Sequence, residues 1–503
     1  MKKDHDKMLE SFKRVTRQLS GLEYASSIIF WDASTGAPKS GLEARSRAIG
    51  VISGFFHQTM TDPDFKKTID DLNELSTELG EVDRALLKHY KKQFDKISKI
   101  PADEYEAFQA HIAKSSSIWE EAKASSDFEM FKPYLEETIE KLKRFAEYRG
   151  YVGHPYNLYI DDFEPGMTVE ALDTFFETLK VRLVPLLKQI NGLEATVPKI
   201  RGQFPTEVQQ EICEKLLDLI GFDRQKGLFK ESVHPFTMGV DVEDVRLTTH
   251  YYLNDLMSAM FSSVHEGGHG IYEQNVDLKL RGTPLSTGAS NAFHESQSRI
   301  YENNFFRHKK FAHFLYPLLK KAYPIALEDI TEYQFYQAIN KVAPSLIRVE
   351  ADELTYSLHI LVRYELELAL ISGTLSVAEL PKAWYDKMEQ YLGVVPSNDA
   401  EGVLQDVHWS EALFGYFPTY ALGSAYAAQL YYYMKKEIDL DALLAKGDFK
   451  PITAWLNDRV HQYGALYEPT ELIVKITGEP LNADYYCDYL EEKYATLYSV
   501  KGH

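Results

Sequence analysis

Cysteine is nearly absent: Cys213 and Cys487 are the only two in 503 residues. They stand far apart and without metal-ligand spacing, so neither a disulfide framework nor a cysteine metal site is expected. No uninterrupted apolar run is long enough to span a bilayer, which excludes a helical membrane protein. The first residues, Met1-Lys-Lys-Asp-His-Asp, lack the apolar core of a signal peptide, and a cytoplasmic protein is the simplest expectation. Basic charge is in deficit. With 55 Lys and Arg against 75 Asp and Glu the net charge is −20, which disfavours nucleic acid and anionic membrane as partners and serves solubility first. Repeats, low-complexity tracts and flexible linkers are also missing.

What remains is a chain with 45% hydrophobic residues, ample for a core, and a dominant helical period. Met8, Phe12, Val15, Leu19 and Leu22 form one stripe, and Leu135, Ile139, Leu142 and Phe145 a second, ending near Gly150. Leu172, Phe175, Phe176, Leu179 and Leu183 form a third, entered after Pro165-Gly166 with Thr168 as its cap. The chain is read as one catalytic domain, residues 1–503, with 150–165 as the candidate junction between two lobes. One stretch breaks the period. Between Val233 and Thr249, Phe236, Met238, Val240 and Val242 alternate, predicting short strands or a hairpin. A strand edge there could pair with an extended peptide through main-chain hydrogen bonds, whatever its side chains.

The chemistry centres on His265-Glu266-Gly267-Gly268-His269. Residues i and i+4 share a helix face, so both imidazoles can reach one metal ion, with Glu266 beside it to polarise water. Leu256, Met257, Met260, Phe261 and Val264 lead in at helical spacing. Gly267 and Gly268 each cost a helix about 1 kcal/mol relative to alanine, which suits a place where metal, substrate or another backbone comes close. A catalytic zinc needs a third protein ligand. Glu295, in Asn291-Ala-Phe-His-Glu-Ser-Gln-Ser-Arg-Ile300, is favoured on a second helix, with His294 and Glu302 still open and an ion pair to Arg299 as the plain alternative. Gly282, Pro284 and Gly288 supply the turn between the helices.

Six ordered motifs give these residues a wider context: His234-Pro-Phe236, Asp244-Val-Arg-Leu-Thr248, His265-Glu-Gly-Gly-His269, His294-Glu-Ser-Gln297, Ile347-Arg-Val-Glu-Ala-Asp352 and Gly402-Val-Leu-Gln-Asp-Val-His-Trp409. With all six, the chain resembles the thermostable carboxypeptidase (carboxypeptidase Taq) family of zinc metallocarboxypeptidases over essentially its full length. The resemblance implies a predominantly helical fold around a deep groove, with a homodimer as the common assembly. It implies one zinc held by His265, His269 and Glu295, Glu266 as general base, and removal of single residues from peptide C-termini with broad specificity. Cobalt or manganese are expected substitutes for zinc.

An oxyanion needs a second electrophile. His408 and Tyr420 lie in a late aromatic and polar segment suited to lining a cleft, and likeness to related helical zinc peptidases, which use a Tyr and a His from such a segment, implies that role for them. A free C-terminal carboxylate calls for an arginine fork. Because each lies in a motif of the family the chain resembles, Arg348 is the first choice and Arg246 the second, with His234 assisting or only bracing its loop. Glu350, Asp352 and Glu353 are the neighbours that could instead tie Arg348 into a structural pair. Two other functions stand beside the carboxypeptidase: a zinc oligo-endopeptidase acting on short peptides, and a catalytically silent helical binding protein.

Overall fold

The structure, a computed structural model, describes residues 2–193 and 197–500. Helices dominate, as expected, and the three apolar stripes fall within Lys2–Thr35, Phe128–Arg149 and Val169–Ile190. Thr168 caps the third, its hydroxyl accepting from Ala171 N at 3.3 Å.

Two apolar clusters hold the fold together. The smaller packs the helices Lys2–Thr35, Leu42–Met60, Pro63–Glu74 and Glu81–Ser98 around Phe12, Phe65, Leu72 and Tyr90. The larger fills most of the remaining chain. At its centre are Glu353–Ser372 and Pro418–Glu437, which are buried on nearly every side and correspondingly rich in apolar residues all round. Residues 150–165 give Tyr156, Tyr159 and Ile160 to the larger cluster; the chain leaves the smaller one between Phe94 and Ile100 and returns to it at Val242, Val276, Leu280, Leu285 and Leu466.

The break in helical period is a three-stranded sheet: β1 (Gly227–Glu231), β2 (Thr237–Asp241) and β3 (Asp244–Thr249), in the order β1-β3-β2. β2 and β3 form the expected antiparallel hairpin, with a register shift between Gly239 and Asp241. β1 lies upstream of the alternating stretch and pairs parallel with β3. In this order β2 is an edge strand. Gly239 on β2 passes so close to the helix Leu256–Gln274 that a Cβ would lie 2.6 Å from Glu273 Cδ.

Candidate active site

Asp255 starts the motif helix Leu256–Gln274, its carboxylate accepting from Met257 N and Ser258 N at 2.8 and 3.2 Å. The two motif glycines answer to close packing. A Cβ on Gly268 would sit 2.8 Å from Ser298 Cα on the helix Asn291–Arg299, and one on Gly267 would meet Leu217 and Ile220. The neighbouring backbone, among the three reasons expected for these glycines, is the one found at Gly268. Gly288 and Gly423 play the same part on other sides, leaving room for the His294 ring and the Glu295 stem.

Close approach of these two helices converges three donors. Glu295 Oε2 lies 3.6 Å from His265 Nε2 and 3.4 Å from His269 Nε2. Among the described residues this is the one cluster of histidine, cysteine or carboxylate groups able to hold a metal ion, its ligand atoms all within 4.8 Å of one another. Each group is held from behind. His265 Nδ1 meets Glu302 Oε2 at 2.9 Å, and His269 Nδ1 meets His294 Nδ1 at 2.6 Å. His294 Nε2 in turn meets Glu273 Oε1 at 2.6 Å, an oxygen that also accepts from the Thr287 hydroxyl. Because carboxylates only accept, these partners assign the proton of His265 to Nδ1 and that of His294 to Nε2. His294 Nδ1 then accepts from His269 Nδ1–H. Both Nε2 lone pairs are left facing Glu295.

Charge agrees with that arrangement. Burial opposes ionisation of Glu295, yet Arg299 and the two imidazoles hold its carboxyl well below the usual range. Burial pushes His269 down to about 3, so it is a neutral imidazole. Burial also disfavours the charged form of His265, but Glu295 and Glu302 outweigh it and raise that group. Two imidazole Nε2 atoms and an ionised carboxylate oxygen fit a divalent transition metal, whose charge would take the place of the proton that Glu295 and Glu302 favour on His265. The Glu295–Arg299 pair also exists, with Arg299 Nε donating to Oε1 at 2.6 Å. It is buried rather than superficial, and leaves Oε2 to the histidines and to the Ser298 hydroxyl, which donates to it at 3.2 Å. His294 and Glu302, the other two ligand candidates, stand behind the rings as hydrogen-bond partners.

Glu266 points into the same cleft, a cavity of about 630 Å³ also walled by Thr237, Gly239, Tyr416 and Tyr420. Its Oε2 accepts from the Thr237 hydroxyl at 2.6 Å. Burial raises its pKa, and His265 and Thr237 act in the opposite sense. Tyr420 reaches the cleft directly. His408 lies behind it, with Nε2 3.3 Å from the Tyr420 hydroxyl and its ring 4.3 Å from Phe417, and burial lowers its pKa to about 4.

Arg348 is buried one layer further back, 4.9 Å from the Tyr420 ring centroid. Glu350, Asp352 and Glu353 are not its partners. It binds Asp406 through Nε and Nη2, at 3.0 and 2.9 Å, and the Tyr356 hydroxyl through Nη1. Arg246 spends its fork on Asp244, at 2.8 and 2.7 Å. The ring of His234 is exposed, while its carbonyl accepts from the Ser232 hydroxyl at 2.6 Å. Neither Arg246 nor His234 lines the cleft with Glu266.

Residues missed in the sequence are Thr237, Glu273, Arg363, Asp406 and Tyr416. Glu273 alone carried a signal, since it lies four residues after His269 on one helix face.

A helical body whose cleft is floored by His-Glu-x-x-His and a carboxylate from the following helix defines the class of metallopeptidases. The chain belongs to the carboxypeptidase Taq (M32) metallopeptidase family, whose model matches residues 11–494. It is 44% identical to Carboxypeptidase 1 of Bacillus subtilis over 492 residues, 97% of this chain and 98% of that protein. It is 36% identical to Thermostable carboxypeptidase 1 of Thermus thermophilus, over 97% of this chain and 98% of that protein. The crystal structure of the M32 carboxypeptidase from Deinococcus radiodurans R1 superposes with a TM-score of 0.94 at 34% identity, covering 98% of this chain and all (100%) of that one. The protein is a metallocarboxypeptidase, a hydrolase that uses a divalent metal and acts on peptides. No helix among the described residues is long and apolar enough to cross a membrane.

Proposed function

We propose that this metallocarboxypeptidase works with one zinc ion per chain, held by His265, His269 and Glu295, with cobalt or manganese as substitutes, and removes single C-terminal residues with broad specificity. The observation that carries it is the convergence of two imidazole Nε2 atoms on Glu295 Oε2, at 3.6 and 3.4 Å, while every opposite atom is tied. Zinc, when bound, supplies Lewis acidity that acidifies water and polarises a carbonyl oxygen.

The chain's own residues do the rest. Glu266 takes a proton from the attacking water and passes it to the leaving amine, and Thr237 holds its carboxylate toward the cleft. Tyr420, positioned by His408, donates to the carbonyl oxygen as charge develops there. β2, at the sheet edge, offers main-chain pairing that ignores side-chain identity, which supports broad specificity. Arg348 anchors the substrate carboxylate: Asp406 and Tyr356 take three of a guanidinium's five N–H groups, one each on Nε, Nη1 and Nη2. Arg246 is the second choice, because Asp244 already occupies its fork, and His234 braces the loop before β2. Residues 1–503 act as a single catalytic unit, in a cytoplasmic homodimer.

A peptide ladder followed by mass spectrometry, with and without chelator, tests the reading. Stepwise loss from the C-terminus that stops with chelator is expected, as is rejection of the same peptide amidated at its C-terminus. Internal cleavage or loss from the N-terminus would overturn it.

A further inference from the structure

Helix Glu81–Ser98 has two unlike faces. Leu86, Leu87, Tyr90 and Phe94 enter the smaller apolar cluster. Arg84, Lys88, Lys91, Lys92 and Lys96 follow one another at helical spacing on another side, and Lys99 comes just past the end. With Arg149 they line a concave groove of about 520 Å³, whose wall contains two carboxylates, Asp95 and Asp161. This concentration of cations runs against a chain of net charge −20.

The pairing leaves the groove positive. Lys88 pairs with Glu468, Lys91 with Asp95, Lys92 with Asp161 and Lys96 with Asp162, at 2.7, 3.1, 2.6 and 2.9 Å. Asp162 is shared with Arg149. Arg84 donates to the carbonyls of Ser76 and Leu79, and Lys99 to that of Arg149, so their charge meets no carboxylate through those bonds. The groove also adjoins the catalytic cleft: Lys92 lines both.

We infer that this groove receives the part of a peptide substrate that lies N-terminal to the cleft, and that it selects peptides acidic in that part. The inference rests on the reading that the cleft holds the substrate's C-terminus. A chain running out past Lys92 enters a lane of cations. Exposed pairs such as Lys91–Asp95 are weak, so a substrate carboxylate can take the place of the protein's own. The cleft floor has the opposite sign, with Glu266, Glu273 and Glu295 in its wall. Acidic residues are therefore favoured at a distance from the scissile bond and disfavoured beside it.

The test uses the metal-loaded enzyme and pairs of decapeptides with identical C-terminal halves and a glutamate or glutamine block in the N-terminal half. The ratio of kcat/KM, acidic over neutral, is expected to be about tenfold at low salt. It should fall toward one near about 0.5 M salt, where screening is nearly complete. Moving the acidic block beside the C-terminus should abolish the advantage. Lys91→Glu combined with Lys99→Glu should bring the ratio to one or below, and the matching double glutamine variant serves if the charge reversal does not fold. A ratio of one in the wild type, or a ratio that neither variant moves, overturns the inference. Mass spectrometry of the same reactions scores single-residue release, so failure of the carboxypeptidase reading shows in the products and not in the ratio.

Discussion

Of this molecule's buried arginine–carboxylate clusters, two near the cleft differ in what they leave free. Behind the aromatic wall, Asp406 gives Oδ1 to Arg348 and Oδ2 to Arg363, so the carboxylate is closed on both sides. At the motif helix, Glu295 gives Oε1 to Arg299 and turns Oε2 toward two histidine nitrogens whose other ring atoms are already bonded. Burial works against the charge in both, and neighbouring cations restore it in both. The closed carboxylate can only brace the two arginines it holds. The open one keeps coordinating capacity at Oε2, which accepts only a 3.2 Å bond from the Ser298 hydroxyl and faces both histidine Nε2 atoms. The oxygen free of arginine, rather than the ion pair, separates site from scaffold.

The largest expected effect falls at the open cluster. Glu266→Gln keeps the shape and all three candidate ligands but removes the base, and kcat should fall by about 10³-fold or more. Metal content measured after dialysis should stay at the wild-type level. Retention of near-wild-type turnover would refute the role of Glu266.

Breaking the closed cluster should act on stability. Asp406→Ala strands Arg348 and Arg363 without their anion and is expected to cost about 3 kcal/mol, the lower end for a broken buried pair. Burial opposes the charge of Asp406, but Arg363 and Arg348 hold its carboxyl below the ordinary range. Its contribution is therefore present above the unfolded value of about 4 and is lost as pH falls through the lower folded value. Denaturant midpoints measured against pH should show a shallower acid limb in Asp406→Ala than in the wild type. Equal slopes would mean that the cluster carries no such linkage.

The same contrast explains what was legible in the sequence. His265 and His269 could be paired because helix spacing puts i and i+4 on one face. Glu295, on the next helix, was only favoured over His294 and Glu302 until the family resemblance singled it out. The caps and glycines were local signals. The helical fold and the hairpin β2–β3 followed from period alone. β1 did not, because its partner β3 is parallel and non-adjacent in the chain, so no local turn announces the pairing. Asp406 was missed as the partner of Arg348 since 58 residues separate them, whereas nearby Glu350, Asp352 and Glu353 invited the wrong pairing. In the structure Asp352 caps the helix Glu353–Ser372, and Glu353 binds Lys493. Glu302 stood open as a ligand and in the structure lies on a π-helix over Ile300–Phe306, bonded to His265 Nδ1.

A smaller effect should follow from loosening the open cluster without touching its convergent atoms. His294→Ala removes the group that fixes the His269 tautomer and orientation and leaves Glu273 without its imidazole partner. Loss of such a supporting contact typically lowers metal affinity by about 10–100-fold. Competition with a chelator of known affinity measures it. Unchanged affinity would show that the helix alone orients His269.

The smallest effect distinguishes a base that is merely present from one that is aimed. Thr237, on the edge strand β2, donates to Glu266 Oε2 at 2.6 Å and lies 3.0 Å from the Glu266 carbonyl, linking the sheet to the motif helix. Thr237→Val keeps the shape of the side chain and removes the hydroxyl. Thr237 is only half-buried, so water can take over part of that bond, and the net loss should be near about 1 kcal/mol, or roughly fivefold in rate. The loss should appear in kcat with KM little changed, since the contact orients the base and does not touch peptide. A rise in KM instead would place Thr237 among the groups that bind substrate. It would also move the boundary of the open cluster outward from the motif helix onto the strand.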